Sequence, residues 1–295
     1  MEIDRAPELD GPTLIASFEG WNDAGQAATT AVRYLVDTWH AKAFARVDAE
    51  EYFSFTDTRP TVRIVDGTTR EVRWPKIEFY WRKNVDPVPD VVLMPGAEPN
   101  LKWKTFCGEV LDLARSVGAR RIFPLGALVT DAVHTRPVPL TGFASDPELQ
   151  TKFEARSITR SSYEGPTGIV GALHDACVRA GMPAASLWGA SPYYLGSTPN
   201  PKTALGLLEA INEALGLQLN LNEMSIVADE FTRQVSLAVR DNAEVQEQIR
   251  VLEQRYDERG AQQQPPETQT EFPPTGAIIA DLEQFLRKQR EDEGE

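Results

Sequence analysis

The sequence predicts an α/β fold, a three-layer mixed sheet covered by helices with additional helices toward its C-terminal end, and three observations predict it. Short apolar runs alternate with stretches whose apolar residues recur at helical spacing, from residue 13 to residue 215. Two strand-like runs, residues 61–65 and 69–74, flank Asp66-Gly67, a dipeptide suited to the positive backbone angles of a tight turn, which adds an antiparallel hairpin. The chain of 295 residues is 41% hydrophobic, enough to bury a substantial core.

The elements follow in order. Residues 13–18 form an apolar run fit for a buried strand, which Glu19 to Asp23 interrupt with a glycine and polar groups. Ala27, Ala28, Ala31, Val32, Leu35 and Val36 then recur on one helical face, giving a strand, a tight loop and a helix. In open α/β sheets such junctions, at the carboxyl ends of strands, are where ligands and partners are met. After the hairpin, residues 77–81 and 91–94 read as strands, the second ending at Pro95-Gly96, and 101–117 as a helix closed by Gly118. Residues 120–125 and 184–189 read as strands, 168–180 as a helix, and 201–215 as a helix that begins on proline and is closed by Gly216.

Residues 1–221 thus read as one core. Residues 222–259 read as a charged helical hairpin, 260–275 as a polar, proline-rich linker, and 276–295 as a short amphipathic helix with an acidic tail.

Composition narrows the function classes. A formal charge of −14 opposes binding to a phosphate backbone or an anionic membrane, so neither nucleic acid nor membrane is expected as a partner. No stretch approaches the ~20 consecutive apolar residues of a membrane span, and the acidic first ten residues do not resemble a secretory leader, so a cytoplasmic protein is expected. Cys107 and Cys177, 70 residues apart in sequence, offer neither a disulfide framework nor a paired zinc motif.

Five segments in order, Gly20-Trp21-Asn22-Asp23-Ala24-Gly25, Pro95-Gly96-Ala97-Glu98-Pro99, His134-Thr135-Arg136-Pro137, Glu164-Gly165-Pro166-Thr167-Gly168 and Asn200-Pro201-Lys202, resemble the PAC2 family of proteasome assembly chaperones, longer bacterial type. The resemblance implies a core similar to the nucleoside phosphorylase/hydrolase fold, self-association, with a homotrimer as the expected state, and protein partners that include proteasome subunits. Two departures stand out. The sequence ends in Glu293-Gly294-Glu295, where relatives that dock on the proteasome by their tails carry a hydrophobic residue and a tyrosine before the last position. It also reads Pro192-Tyr193-Tyr194 where many relatives have Pro-His-Tyr.

The same segments supply the candidate binding residues. Glu19, Asn22 and Asp23 lie beside a helix amino end, where the amides hold an anion and the carboxylates a cation or hydroxyl, or where Asp23 or Asn22 simply caps the helix. Glu98 lies in a similar loop; with its strand beside the first it would join Glu19 and Asp23 in a carboxylate cluster, and otherwise it pairs with Lys102. His134 and Arg136 combine an imidazole with a guanidinium, as an anchor for a ligand or subunit or as a loop whose arginine pairs with an acidic neighbour. Thr167, Asn200 and Lys202 open helices, either converging on a phosphate or acting as ordinary helix starts. His174 and Cys177 share a helix face and read as a surface histidine and a buried thiol.

No P-loop, dinucleotide fingerprint, nucleophile elbow or zinc-protease motif is present. No catalytic residue, metal or cofactor is assigned. The first expectation is a non-catalytic, oligomeric assembly factor or scaffold; the alternative is a nucleotide or nucleoside binder or ligase-like enzyme using polar loops at one sheet edge.

Overall fold

The computed structural model describes residues 1–161, 163–240 and 242–262. In chain order the strands are β1 (Glu2–Ile3), β2 (Thr13–Glu19), β3 (Lys42–Arg46), β4 (Thr61–Val65), β5 (Thr69–Arg73), β6 (Glu78–Arg82), β7 (Val91–Ala97), β8 (Arg121–Thr130), β9 (Leu140–Ala144) and β10 (Ala185–Pro192). The α-helices are α1 (Ala27–Thr38), α2 (Ala49–Tyr52), α3 (Trp103–Ser116), α4 (Pro147–Ala155), α5 (Ile169–Arg179), α6 (Pro201–Leu215), α7 (Asn222–Val239) and α8 (Ala243–Gln262).

Eight strands form one mixed sheet in the order β1-β3-β6-β7-β2-β8-β10-β9. The middle four, β7-β2-β8-β10, run parallel, and antiparallel strands complete both sides. The parallel strands are near-continuous apolar runs because helices cover both of their faces. Alternation sorts their side chains: Leu14, Ala16 and Phe18 enter a core beneath α3 and α5, whereas Ile15 enters a second core beneath α1, α4 and α6. Edge-to-face pairs anchor each core, Phe18 with Phe106 on one side and Phe123 with Phe153 on the other, both at 5.9 Å between ring centroids. Full burial of each such ring contributes about 1.5–3 kcal/mol.

A third core joins α7 and α8 to the end of the sheet, through Val133, Tyr193, Tyr194 and Leu195 against Phe231, Val235, Ile249 and Leu252. β4 and β5 pair only with each other, and the turn between them carries the positive angles expected of Asp66 (φ 52) and Gly67 (φ 71).

Several boundaries move. β7 continues through Pro95 and Gly96 to Ala97, paired with β2 on one side, and β8 extends to Thr130. β1, β3, β9, α2 and α4 are additional to the predicted elements. α8 runs to Gln262, so the stretch expected as linker from residue 260 begins within a helix. Residues 263–275 of that linker, and the expected final helix and tail at 276–295, lie outside the described residues. Among the described residues no helix is long and apolar enough to cross a membrane.

Candidate functional site

Parallel strands deliver the loops that follow them to one edge of the sheet. Glu19 ends β2 and Asn22 and Asp23 follow it, Glu98 follows β7, His134 and Arg136 follow β8, and Asn200 and Lys202 follow β10. All eight candidates therefore stand along the carboxyl edge, where they divide into two groups.

The first group joins the loops after β2 and β7. Asn22 is fully buried, and its Nδ2 donates to Glu98 Oε1 at 2.5 Å. The same oxygen accepts the Ile169 backbone N–H at 2.8 Å, so Glu98 caps α5, whose own N-cap residue, Gly168, has no side chain to do so. A Cβ on Gly168 would overlap the Asn22 amide, and glycine is what lets the helix start lie against it. The Asn22 carbonyl accepts the Ala127 N–H at 2.7 Å, carrying the loop over β8. Asp23 is turned the other way: its Oδ1 accepts the N–H of Ala28 at 2.7 Å and of Thr29 at 3.3 Å, and its Oδ2 accepts the Thr29 hydroxyl, so it caps α1. Burial, partly opposed by the bonds from Thr29 and Ala28, pushes its carboxyl above the ordinary carboxylate value.

Glu19 turns to Arg33. β2 and β7 are neighbours, as the carboxylate cluster requires, but the three acids take separate partners and the cluster does not form. Lys102 pairs with Glu51 in place of Glu98. Among the described residues no group of three His, Cys, Asp or Glu side chains could hold a metal ion.

The second group binds the C-terminal helices to the core. The His134 backbone N–H donates to the Tyr194 hydroxyl at 2.8 Å, which leaves that hydroxyl's proton to be donated to His134 Nδ1 at 2.7 Å. Nε2 then carries the ring proton and donates to Ser236 Oγ on α7 at 3.1 Å, while Ser236 donates to the Thr232 carbonyl. Burial, reinforced by the Lys202 charge, lowers the imidazole to about 4 and keeps it neutral. Lys202 donates to the His134 carbonyl, and burial lowers its own ammonium below the ordinary lysine value.

Arg136 grips Asp257 of α8 with two parallel bonds, Nε to Oδ1 and a terminal nitrogen to Oδ2, both at 2.9 Å, and Thr135 donates to Glu253 one turn earlier. Asn200 caps α6, accepting the Thr203 N–H at 3.0 Å and donating to Ser191 at 3.1 Å. Its own N–H donates to the Gly25 carbonyl at 2.7 Å; Gly25 has φ 59 and a Cβ there would lie 2.8 Å from that of Asn200. The loops after β2 and β10 are thereby joined across β8. Thr167 starts α5 on one face of the sheet and Asn200 starts α6 on the other, so they do not converge on a phosphate.

Sequence reasoning passed over three residues that complete this edge. Tyr194 completes the His134 network, and Arg259 of α8 donates to the buried Asp131 at 2.6 Å. A charge inside a polar loop gives no local signal of a partner 128 positions away. His174, expected at the surface, has both ring nitrogens buried without a hydrogen-bond partner and lies edge-on to Phe143. Burial raises the thiols of Cys107 and Cys177 to about 11 and about 12, the range of inert structural cysteines. Lys202 also lines a cleft of about 1000 Å³ between β9, α6 and α8, with Arg156, Arg160, Glu209, Tyr256 and Arg259 among its walls.

The sequence model described as the PAC2 family matches residues 17–239, from within β2 to the last residue of α7. The chain is similar to the crystal structure of a PAC2 family protein from Streptomyces avermitilis, with 41% identity and a TM-score of 0.73, covering 80% of this chain and 99% of that one. It is similar to a proteasome-assembly chaperone homologue from Mycobacterium tuberculosis, with 38% identity and a TM-score of 0.72 over 80% and 99% of the two chains. A second Mycobacterium tuberculosis protein, described as of unknown function, shares 27% identity and a TM-score of 0.80 over 89% and 90%. No curated protein matches the chain.

Proposed function

The chain belongs to the PAC2 family, and from that premise we propose that it is a non-catalytic factor in protein assembly, with proteasome subunits as its first partners. The observation that carries this reading is the 38% identity to a proteasome-assembly chaperone homologue over nearly all of that chain. The geometry of the edge supports it from another side. Asn22, Asp23, Glu98 and Asn200 cap helices or join loops, and His134 and Arg136 bind α7 and α8, so these residues of the family segments build the surface of the edge. In this reading the core, likened to that of nucleoside phosphorylases, self-associates as a trimeric scaffold in the cytoplasm.

Affinity capture of the tagged full chain from a proteasome-containing bacterium, quantified by mass spectrometry, tests it. Proteasome subunits are expected to be enriched over a tagged control; recovery of the chain without them would overturn the reading.

A second reading, binding of a nucleotide or nucleoside, is favoured by one observation: Lys202 faces the large cleft together with Arg156, Arg160 and Tyr256. A ligand at 100 times its dissociation constant stabilises the folded state by about 2.7 kcal/mol. Thermal melts across nucleotides and nucleosides would reveal it, and unchanged melting throughout would sink it.

A further inference from the structure

The cleft between β9, α6 and α8 has walls of two kinds. Val138, Pro139, Leu140, Ile158 and Leu205 give it aliphatic surface, and Tyr256 adds an aromatic ring. Its volume of about 1000 Å³ is ample for a small organic molecule. Four cations stand among these walls, and three are already engaged. Arg156 pairs with Glu209 and Glu213 of α6, and Arg259 with the buried Asp131. Arg160 lies 3.9 Å from Glu154, with its guanidinium over the Phe143 ring.

Lys202 is the fourth. Its ammonium has three N–H donors; one goes to the His134 carbonyl, and among the described residues it makes no ion pair. Asp229 acts on it only at longer range, and burial outweighs that pull, holding the ammonium below the ordinary lysine value. A half-buried cation without a carboxylate partner carries a desolvation cost that an arriving anion offsets. The neighbouring charges set the size of that anion's charge. Glu154 and Glu209 also line the cleft, so one negative charge meets its counterion at Lys202 and a second meets repulsion.

We infer that this cleft binds an organic monocarboxylate, with the carboxylate on Lys202 and the apolar body along Val138, Leu140 and Leu205. The inference goes beyond the nucleotide reading: it shares the cleft and not the ligand. A phosphomonoester carries a charge of about −2 near neutral pH, and the arginines that would meet its second charge are held by carboxylates of the chain itself. Tyr256 and Arg259 belong to α8, so an occupied cleft also ties that helix to the sheet.

The test uses the full chain, with octanoate as the probe and octanol and AMP as comparators, in thermal melts and titration calorimetry. Octanoate is expected to raise the melting temperature and to bind at least about 10-fold more tightly than octanol, which has the same chain length without the charge. Lys202→Met should weaken octanoate binding about 10- to 100-fold. Should that variant fail to fold, hydrogen exchange of the wild type decides: octanoate should slow exchange in the last turns of α8, around Tyr256 and Arg259. Equal binding of acid and alcohol, undiminished octanoate affinity in Lys202→Met, or unchanged exchange in α8 would overturn the inference. Stabilisation by AMP and not by octanoate would overturn it while leaving the nucleotide reading standing. Stabilisation by none of the three would overturn it as well.

Discussion

Glu98→Ala removes a single carboxylate oxygen that serves two donors, and the cost can be worked from the structure. Asn22, fully buried, loses the acceptor 2.5 Å from its Nδ2, and its Oδ1 already has no partner. A buried amide deprived of a charged partner costs about 1.5–3 kcal/mol. Ile169, first residue of α5, loses its acceptor at 2.8 Å, and loss of a helix cap costs about 1 kcal/mol. Glu98 is half-buried, so water entering the vacated space offsets part of the sum; a net loss of about 3 kcal/mol is expected. Glu98→Gln keeps the acceptor without its charge and should lose about 1 kcal/mol. Urea denaturation measures the global effect. Hydrogen exchange over the first turn of α5 measures the local one, where protection should fall about 10- to 100-fold. Because Asn22 and Glu98 touch, adding Asn22→Ala to Glu98→Ala should cost less than the sum of the single changes. An alanine variant within about 0.5 kcal/mol of wild type, with unchanged exchange in α5, would refute this account of the loop.

Two further outcomes are expected. His134 is held neutral, its folded value lowered from 6.5 to about 4, so its contribution to stability is complete above pH 6.5 and is lost as pH falls toward 4. Inside that window stability should drop by about 1.4 kcal/mol per pH unit, and denaturation curves of His134→Gln at the same pH values should show a shallower slope. Arg259→Met leaves Asp131 buried without its cation and should cost about 3 kcal/mol, whereas Asp131→Asn/Arg259→Met should recover at least half of that loss; equal melting temperatures for the two variants would contradict the pairing.

The first strand, loop and helix were legible because each signal is local: apolar residues in β2, glycines at the turn and an aspartate within reach of the α1 amides. α6 was legible to the residue, with Asn200 before it, Pro201 at its start and Gly216 at φ 69 after it. β7 was cut short because proline and glycine usually end a strand, yet Gly96 is required there by the approach of Ile77, and the pairing with β2 runs past it. α4 carried its own signal in Asp146-Pro147, an N-cap followed by proline, which the surrounding polar residues obscured. β3 and β9 lie toward the sides of the sheet, where short, half-exposed strands have little hydrophobic pattern. At the site, helix capping by Asp23 and Asn200 follows from neighbours in sequence. The partners of Glu98, Arg136 and Asp131 follow only from topology, since they lie 71 or more residues away.

Those separations also order events in time. A ribosome finishes β8 and its loop long before it makes α8, so Arg136 waits 121 residues for Asp257, and Asp131 waits 128 for Arg259. The sheet and its covering helices can assemble from the emerging chain while His134, Tyr194 and Asp131 remain without their last neighbours. Until α8 arrives the chain displays an unpaired carboxylate and an open apolar seam, and α8 covers both.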